Sequence, residues 1–232
     1  MSNQPFFDYQ NDSDSKLEAF ILEHGCYSPE ENGKIYRHWF SRGPRYLFRA
    51  VDQKYGISEK TICDVGCAFG TNLLYCNDSS YGIEPDTYRA DFARSLGLRV
   101  YSLDLVSDDS GSLPKVQAIW CSAVLEHVSC PYLFLCRLYQ LLEPGGLIAI
   151  YVPTIPVFPF MERFLWLGKY VAGYRSRGHV NAFIPDTLRF VCEAAGFHTI
   201  EVSPFYPGML SFFNNIPLLD RVTGRTMFIG RK

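Results

Sequence analysis

One stretch constrains this chain more than any other. Thr61-Ile-Cys-Asp64-Val-Gly66-Cys-Ala68-Phe-Gly70-Thr-Asn72 is an apolar run that ends in an acid and passes straight into a glycine turn. Such a strand-to-turn passage is the entry to an open α/β sheet. Its glycines let backbone amides approach a ligand, and a helix opening after it favours an anionic group. The pattern predicts a strand over 61–65 and a helix over 71–76. It does not follow the dinucleotide fingerprint G-x-G-x-x-G: counted from Gly66, the remaining glycine positions hold Ala68 and Thr71. That argues against a nicotinamide-dependent oxidoreductase.

The rest of the chain extends the pattern. Further strands are expected at 80–84, 99–103, 116–122 and 147–152, with helices at 88–96 and 131–142 between them. Alternation of this kind builds a parallel sheet covered on both faces, with right-handed crossovers. A helix at 185–195 and strands at 199–204 and 225–230 complete the series. Before it, helices at 16–24 and 34–55 are expected, the second interrupted by Gly43-Pro44. The expected organisation is an N-terminal helical extension over 1–58 and a ligand-binding domain over 59–232. With 232 residues, 47% of them hydrophobic, the chain can bury one substantial core but not two large ones.

Charge and segment content narrow the classes further. A formal net charge of -2 gives no general attraction to nucleic acid. Residues 1–16 lack the apolar core of a secretory signal, and no uninterrupted apolar run reaches roughly 18 residues. A soluble, cytoplasmic protein is expected, its eight cysteines reduced and acting as small hydrophobes. Cys63 and Cys67 lack the third cysteine of an iron–sulfur radical motif.

Three more signals follow the glycine loop. Glu84-Pro85 lies about 20 residues beyond Asp64, where a strand-end carboxylate can accept both hydrogens of a ribose diol. Asp104, in Ser102-Leu-Asp-Leu105, ends the third strand in position to meet an adenine amino group. The fourth strand delivers Ser122-Ala123-Val-Leu125-Glu126-His127 to the sheet rim, and Pro144-Gly145-Gly146 turns into the fifth.

With these residues the chain resembles the class I S-adenosylmethionine-dependent methyltransferases, particularly the small-molecule branch that includes quinone-biosynthesis enzymes. The family's glycine loop is an acid followed by G-x-G-x-G, which Asp64, Gly66 and Gly70 match with Ala68 in the middle place. The resemblance runs from about residue 61 to 195 and includes the final strand. It implies a doubly wound, mostly parallel, seven-stranded Rossmann-like sheet whose last strand is antiparallel and inserted beside the sixth. It also implies that Asp64, Gly66, Cys67, Ala68 and Gly70 line the methionine moiety. Glu84 and Pro85 would hold the ribose, Asp104 and Leu105 flank the adenine, and Ser122 and Ala123 floor the sulfonium. S-adenosylmethionine is the implied cofactor.

A base is needed only if the acceptor carries a proton, and His127 and His179 are the candidates, set against capping or packing roles for each. Some family members resemble metal enzymes with Glu-x-x-Glu-His plus a further histidine; here the first glutamate position is Ala123, so no metal is expected. The aromatic stretch after the fifth strand reads as an inserted cap over 154–178. Phe160, Phe164, Leu167, Val171 and Tyr174 form its stripe. Phe164 and Trp166, with His179, are its candidate substrate contacts. Three readings stay open for it: a cap over a small apolar or aromatic acceptor, possible lipid attachment of that acceptor included; core or dimer packing; or a helix at a membrane interface. The alternative to an enzyme is a non-catalytic S-adenosylmethionine or nucleotide binder that regulates a partner.

Overall fold

The computed structural model describes residues 6–8, 12–41, 45–108, 110–154, 178–204 and 225–232. Its strands are β1 (Ile62–Val65), β2 (Tyr81–Ile83), β3 (Val100–Tyr101), β4 (Val116–Ser122), β5 (Leu142–Pro153), β6 (His198–Pro204) and β7 (Arg225–Arg231). They form one seven-stranded sheet in the order β3-β2-β1-β4-β5-β7-β6. β1, β2 and β3 pair in parallel, with Asp64 opposite Gly82 and Ile83 opposite Tyr101. β7 runs antiparallel to both β5 and β6, with Ile150 opposite Phe228. The mixed Rossmann-like sheet and the inserted final strand match expectation.

The chain divides into two compact units, the first holding residues 1–104 and 116–120, the second 105–115 and 121–232. In the first unit, helix α1 (Asp14–His24) starts where the Ser13 hydroxyl accepts a hydrogen bond from the Lys16 amide, and it buries Leu17 and Ile21. Helix α2 (Pro29–Ile35) starts in the same way, with Ser28 accepting from Glu31 and proline at the first turn. It passes directly into a π-helical turn, Tyr36–Phe40. Helix α3 (Arg45–Tyr55) follows, so the helix expected at 34–55 begins earlier and is divided. Helix α4 (Thr87–Ser95) is capped by Asp86, which accepts from the Tyr88 amide. The core of this unit joins Leu17, Ile21, Ile35 and Phe40 of the extension to Phe69, Leu73 and Phe92.

One expectation fails here. Residues 71–76 form no α-helix, only a 3-10 turn at Leu73–Tyr75. All six of these residues are buried, so the segment has no polar face to present to solvent. Charge at a helix N-terminus therefore plays no part in this loop.

In the second unit, helix α5 (Pro131–Leu141) buries Phe134, Leu135, Leu138 and Leu141, an i, i+4, i+7 stripe. Helix α6 (Pro185–Ala194) buries Leu188 and Cys192 and packs on β6, β7 and α5. Among the described residues no helix is long and apolar enough to cross a membrane.

Candidate functional site

The glycine loop is bent back on β2. The Gly66 and Cys67 amides both donate to the Ile83 carbonyl, at 2.8 and 3.2 Å, and Gly70 donates to Cys67 at 2.9 Å. Gly66 and Gly70 have φ of +70° and +83°. At Gly70 a Cβ would stand 2.4 Å from Leu98 Cδ1, so this glycine also allows close packing of the loop on the chain after α4. Ala68 takes φ +49° despite its side chain. Only Ala68 and Ala123 among the described non-glycine residues have left-handed backbone, and both belong to the expected cofactor set. Strained backbone of this kind gathers at ligand sites.

Two carboxylates face this loop. Glu84 is buried and clamps it: its Oε2 accepts from the Ala68 amide at 2.9 Å and its Oε1 from Asp86 at 3.0 Å. Asp64 is 2% exposed, and its hydrogen-bond donor is the Asn72 amide, at 3.5 Å. Burial, reinforced by Glu84 and opposed by Asn72, pushes the Asp64 carboxyl up to about 8. Asn72 Oδ1 and Thr71 Oγ1 are buried without a hydrogen-bond partner. Two buried acids and two unsatisfied oxygens suit a ligand that brings donors and positive charge. Asn72 was not singled out in the sequence; the signal was a lone amide among the apolar residues after Gly70.

Pro85 is exposed beside Glu84, and Cys67 is buried under the loop. Asp104 is exposed after β3, and Leu105 is buried. Ser122 and Ala123 leave β4 in the second unit, where the Ala123 amide donates to Tyr151 at 2.8 Å.

The second unit brings His127 and His179 together, their rings 4.7 Å apart edge to face. His127 Nδ1 lies 2.9 Å from the Gly178 carbonyl. A carbonyl only accepts, so Nδ1 carries the hydrogen and Nε2 keeps its lone pair when the ring is neutral. That Nε2 is 4.0 Å from Glu126 Oε1. Glu126 is 1% exposed, its Oε2 has no hydrogen-bond partner, and burial pushes its carboxyl up while His127 pulls it down. The Glu126 carbonyl accepts from the Val180 and Asn181 amides, and the Asn181 side chain donates to Leu125 and Val128. Ligand atoms of Glu126, His127 and His179 all lie within 4.8 Å of one another, a donor set one carboxylate short of the Glu-x-x-Glu-His pattern with its further histidine. Ala123 stands where that carboxylate is expected.

Residues 155–177, with Phe164 and Trp166, lie outside the described residues. Their flanks are fixed within the second unit: Thr154 is fully buried, bridges to Phe183 and shares a 3.1 Å hydroxyl bond with Thr226. On the other side, Gly178 accepts from His127.

Residues 36–202 match a family described as a methyltransferase domain. No curated protein matches the chain. Among solved structures, the chain resembles a S-adenosylmethionine-dependent methyltransferase from Archaeoglobus fulgidus at 20% identity and TM-score 0.59, over 86% of this chain and 98% of that one. It resembles another from Mesorhizobium loti at 18% identity and TM-score 0.58, over 81% and 98%. The [4+2]-cyclase SpnF is similar at 14% identity and TM-score 0.56, over 84% and 85%.

Proposed function

The chain belongs to the methyltransferase-domain family, and we propose that it transfers the methyl group of S-adenosylmethionine to a small apolar or aromatic acceptor. The observation that carries the cofactor assignment is the pair of buried carboxylates at the glycine loop. S-adenosylmethionine offers what they lack: an α-ammonium group for Asp64 and a ribose diol for Glu84. The sulfonium supplies an already activated methyl group. The work left to the chain is to hold and align, which alone contributes on the order of 7–11 kcal/mol in favourable cases.

In this reading Asp64 accepts from the ammonium group and Asn72 keeps Asp64 in place. Glu84 accepts from the ribose through the lone pairs that Ala68 and Asp86 leave over. His127 and His179 serve the acceptor, with Nε2 of His127 taking a proton where the acceptor carries one. The aromatic stripe of 154–178 supports an apolar acceptor, with Phe164 and Trp166 as contacts.

Calorimetry with S-adenosylhomocysteine tests the cofactor assignment. Micromolar binding is expected, with no binding of NAD; tight NAD binding and silence toward the homocysteine compound would overturn it. Mass spectrometry of cell extract incubated with the protein and methyl-labelled S-adenosylmethionine tests the acceptor. A labelled apolar or aromatic product supports the proposal, and binding without any labelled product marks a non-catalytic binder.

A further inference from the structure

The helical N-terminal segment carries an aromatic side chain onto the glycine loop. Trp39, in the π-helical turn, lies against Phe69 of the loop with ring centroids 5.3 Å apart. The Arg89 guanidinium sits over the same indole at 5.5 Å. Arg89 also pairs with Asp86 at 3.4 Å, and the Asp86 amide donates to Glu84 Oε1. Glu84 Oε2 accepts from Ala68, the neighbour of Phe69. The contacts therefore close a ring: Trp39, Arg89, Asp86, Glu84, Ala68-Phe69 and back to Trp39. Every member lies in the first unit.

A ring of this kind has a consequence at its polar end. Glu84 holds a loop whose Ala68 is strained in left-handed backbone, and an alanine leaves that conformation readily unless its neighbours forbid it. Phe69 is the neighbour best placed to forbid it, being buried and wedged edge-on against both Tyr88 and Phe92. Trp39 packs on it as well, with the two rings tilted by 53°. The extension is itself docked on α4, where Tyr27 stacks on Tyr88 at 4.4 Å and its hydroxyl donates to the Tyr88 carbonyl at 2.7 Å. Trp39 is thus carried on a fixed support, and π-helical turns are frequent where a side chain must be placed for function.

We infer that Trp39 is a positioning residue for the cofactor: it holds the glycine loop and the Glu84 carboxylate in the geometry that receives the ribose. The inference rests on the assignment of Glu84 to the cofactor. An aromatic pair and a cation over a ring each contribute modestly, so their joint loss is expected to weaken binding by about tenfold.

The test uses the full chain titrated with S-adenosylhomocysteine, by calorimetry and by tryptophan emission. Trp39→Ala is expected to raise the dissociation constant about tenfold, and Arg89→Met about threefold. Trp39→Phe, which keeps the stack, is expected to restore affinity to within about threefold of the unaltered chain. The emission change that titration produces in the unaltered chain is expected to shrink in Trp39→Phe even though that variant binds. A purely structural role would lower the melting temperature of Trp39→Ala and leave its dissociation constant for S-adenosylhomocysteine unchanged. If the unaltered chain binds no S-adenosylhomocysteine, the cofactor assignment fails and the inference with it. If the unaltered chain binds, and Trp39→Ala and Arg89→Met bind equally well, Trp39 positions nothing and the inference alone is overturned.

Discussion

Asp64 is a carboxyl far from its ordinary chemistry. Its carboxyl titrates near 8 in the folded protein, against about 4 when unfolded. Between those values the folded chain holds a proton that the unfolded chain has lost, so the unliganded protein loses stability as pH rises from about 4 toward 8. Ligand binding follows the opposite sign, because an ammonium group selects the ionised carboxylate. Affinity for S-adenosylhomocysteine is expected to rise with pH up to about 8 and then level off. Calorimetry at pH 7 in buffers of different ionisation enthalpy is expected to show close to one proton released per ligand; no release would mean that Asp64 does not meet the ligand's charge. Glu84 makes a different prediction, because it holds two backbone amides as well as its proposed ligand. Glu84→Ala is expected to cost about 2–3 kcal/mol of ligand binding and also to loosen the loop. Glu84→Gln, which keeps one acceptor oxygen, should keep more of the fold than of the affinity, as separate melting and binding measurements would reveal.

At the scale of elements, the loop works because β2 passes close beneath it. A Cβ on Gly82 would stand 2.4 Å from Cys67 Sγ, 2.8 Å from Leu73 Cδ1 and 2.9 Å from Cys67 Cβ. Gly82→Ala is therefore expected to cost about 1–3 kcal/mol of stability by overpacking and to weaken cofactor binding by lifting the loop from β2. Denaturant titration checks the first effect and calorimetry the second; an unchanged midpoint would mean that the loop gives way freely. Gly82 shows no role in the sequence, since close approach of two backbones leaves no mark in a single sequence. The strands were legible because each is a short apolar run bounded by turn residues, and 116–122 matches β4 to the residue. The helix expected at 71–76 was misread because an apolar run carries no information on whether it has an outward face. That Glu84 stands beside the glycine loop was legible from its spacing, whereas Asp64 entered the expected cofactor set through the resemblance. Trp39 was not, because its partner Phe69 lies 30 positions away and only the docked extension brings them together.

For the whole molecule, the fold leaves the reaction open: a [4+2]-cyclase is similar in structure to this chain, and so are methyltransferases. The chemistry must then be argued from side chains, and in the second unit those are Glu126, His127 and His179. Two accounts of this cluster predict different results. As proton-handling groups, His127 presents a lone pair at Nε2, and Glu126, 4.0 Å away, stabilises the imidazolium once the proton is taken. As metal ligands, the same atoms supply one carboxylate and two imidazoles, too few oxygens for Mg²⁺ or Ca²⁺. Ala123, in left-handed backbone where a further carboxylate is expected, adds no donor. On the proton-handling account, methyl transfer is expected to persist in excess chelator. His127→Ala is expected to lower kcat by about 10²-fold for a protonated acceptor while the S-adenosylhomocysteine dissociation constant stays within about twofold. For an acceptor that carries no proton to remove, the same variant should lose little, since alignment then does the work. Loss of activity in chelator with recovery on adding Mn²⁺ would reverse the assignment and make Glu126, His127 and His179 ligands instead.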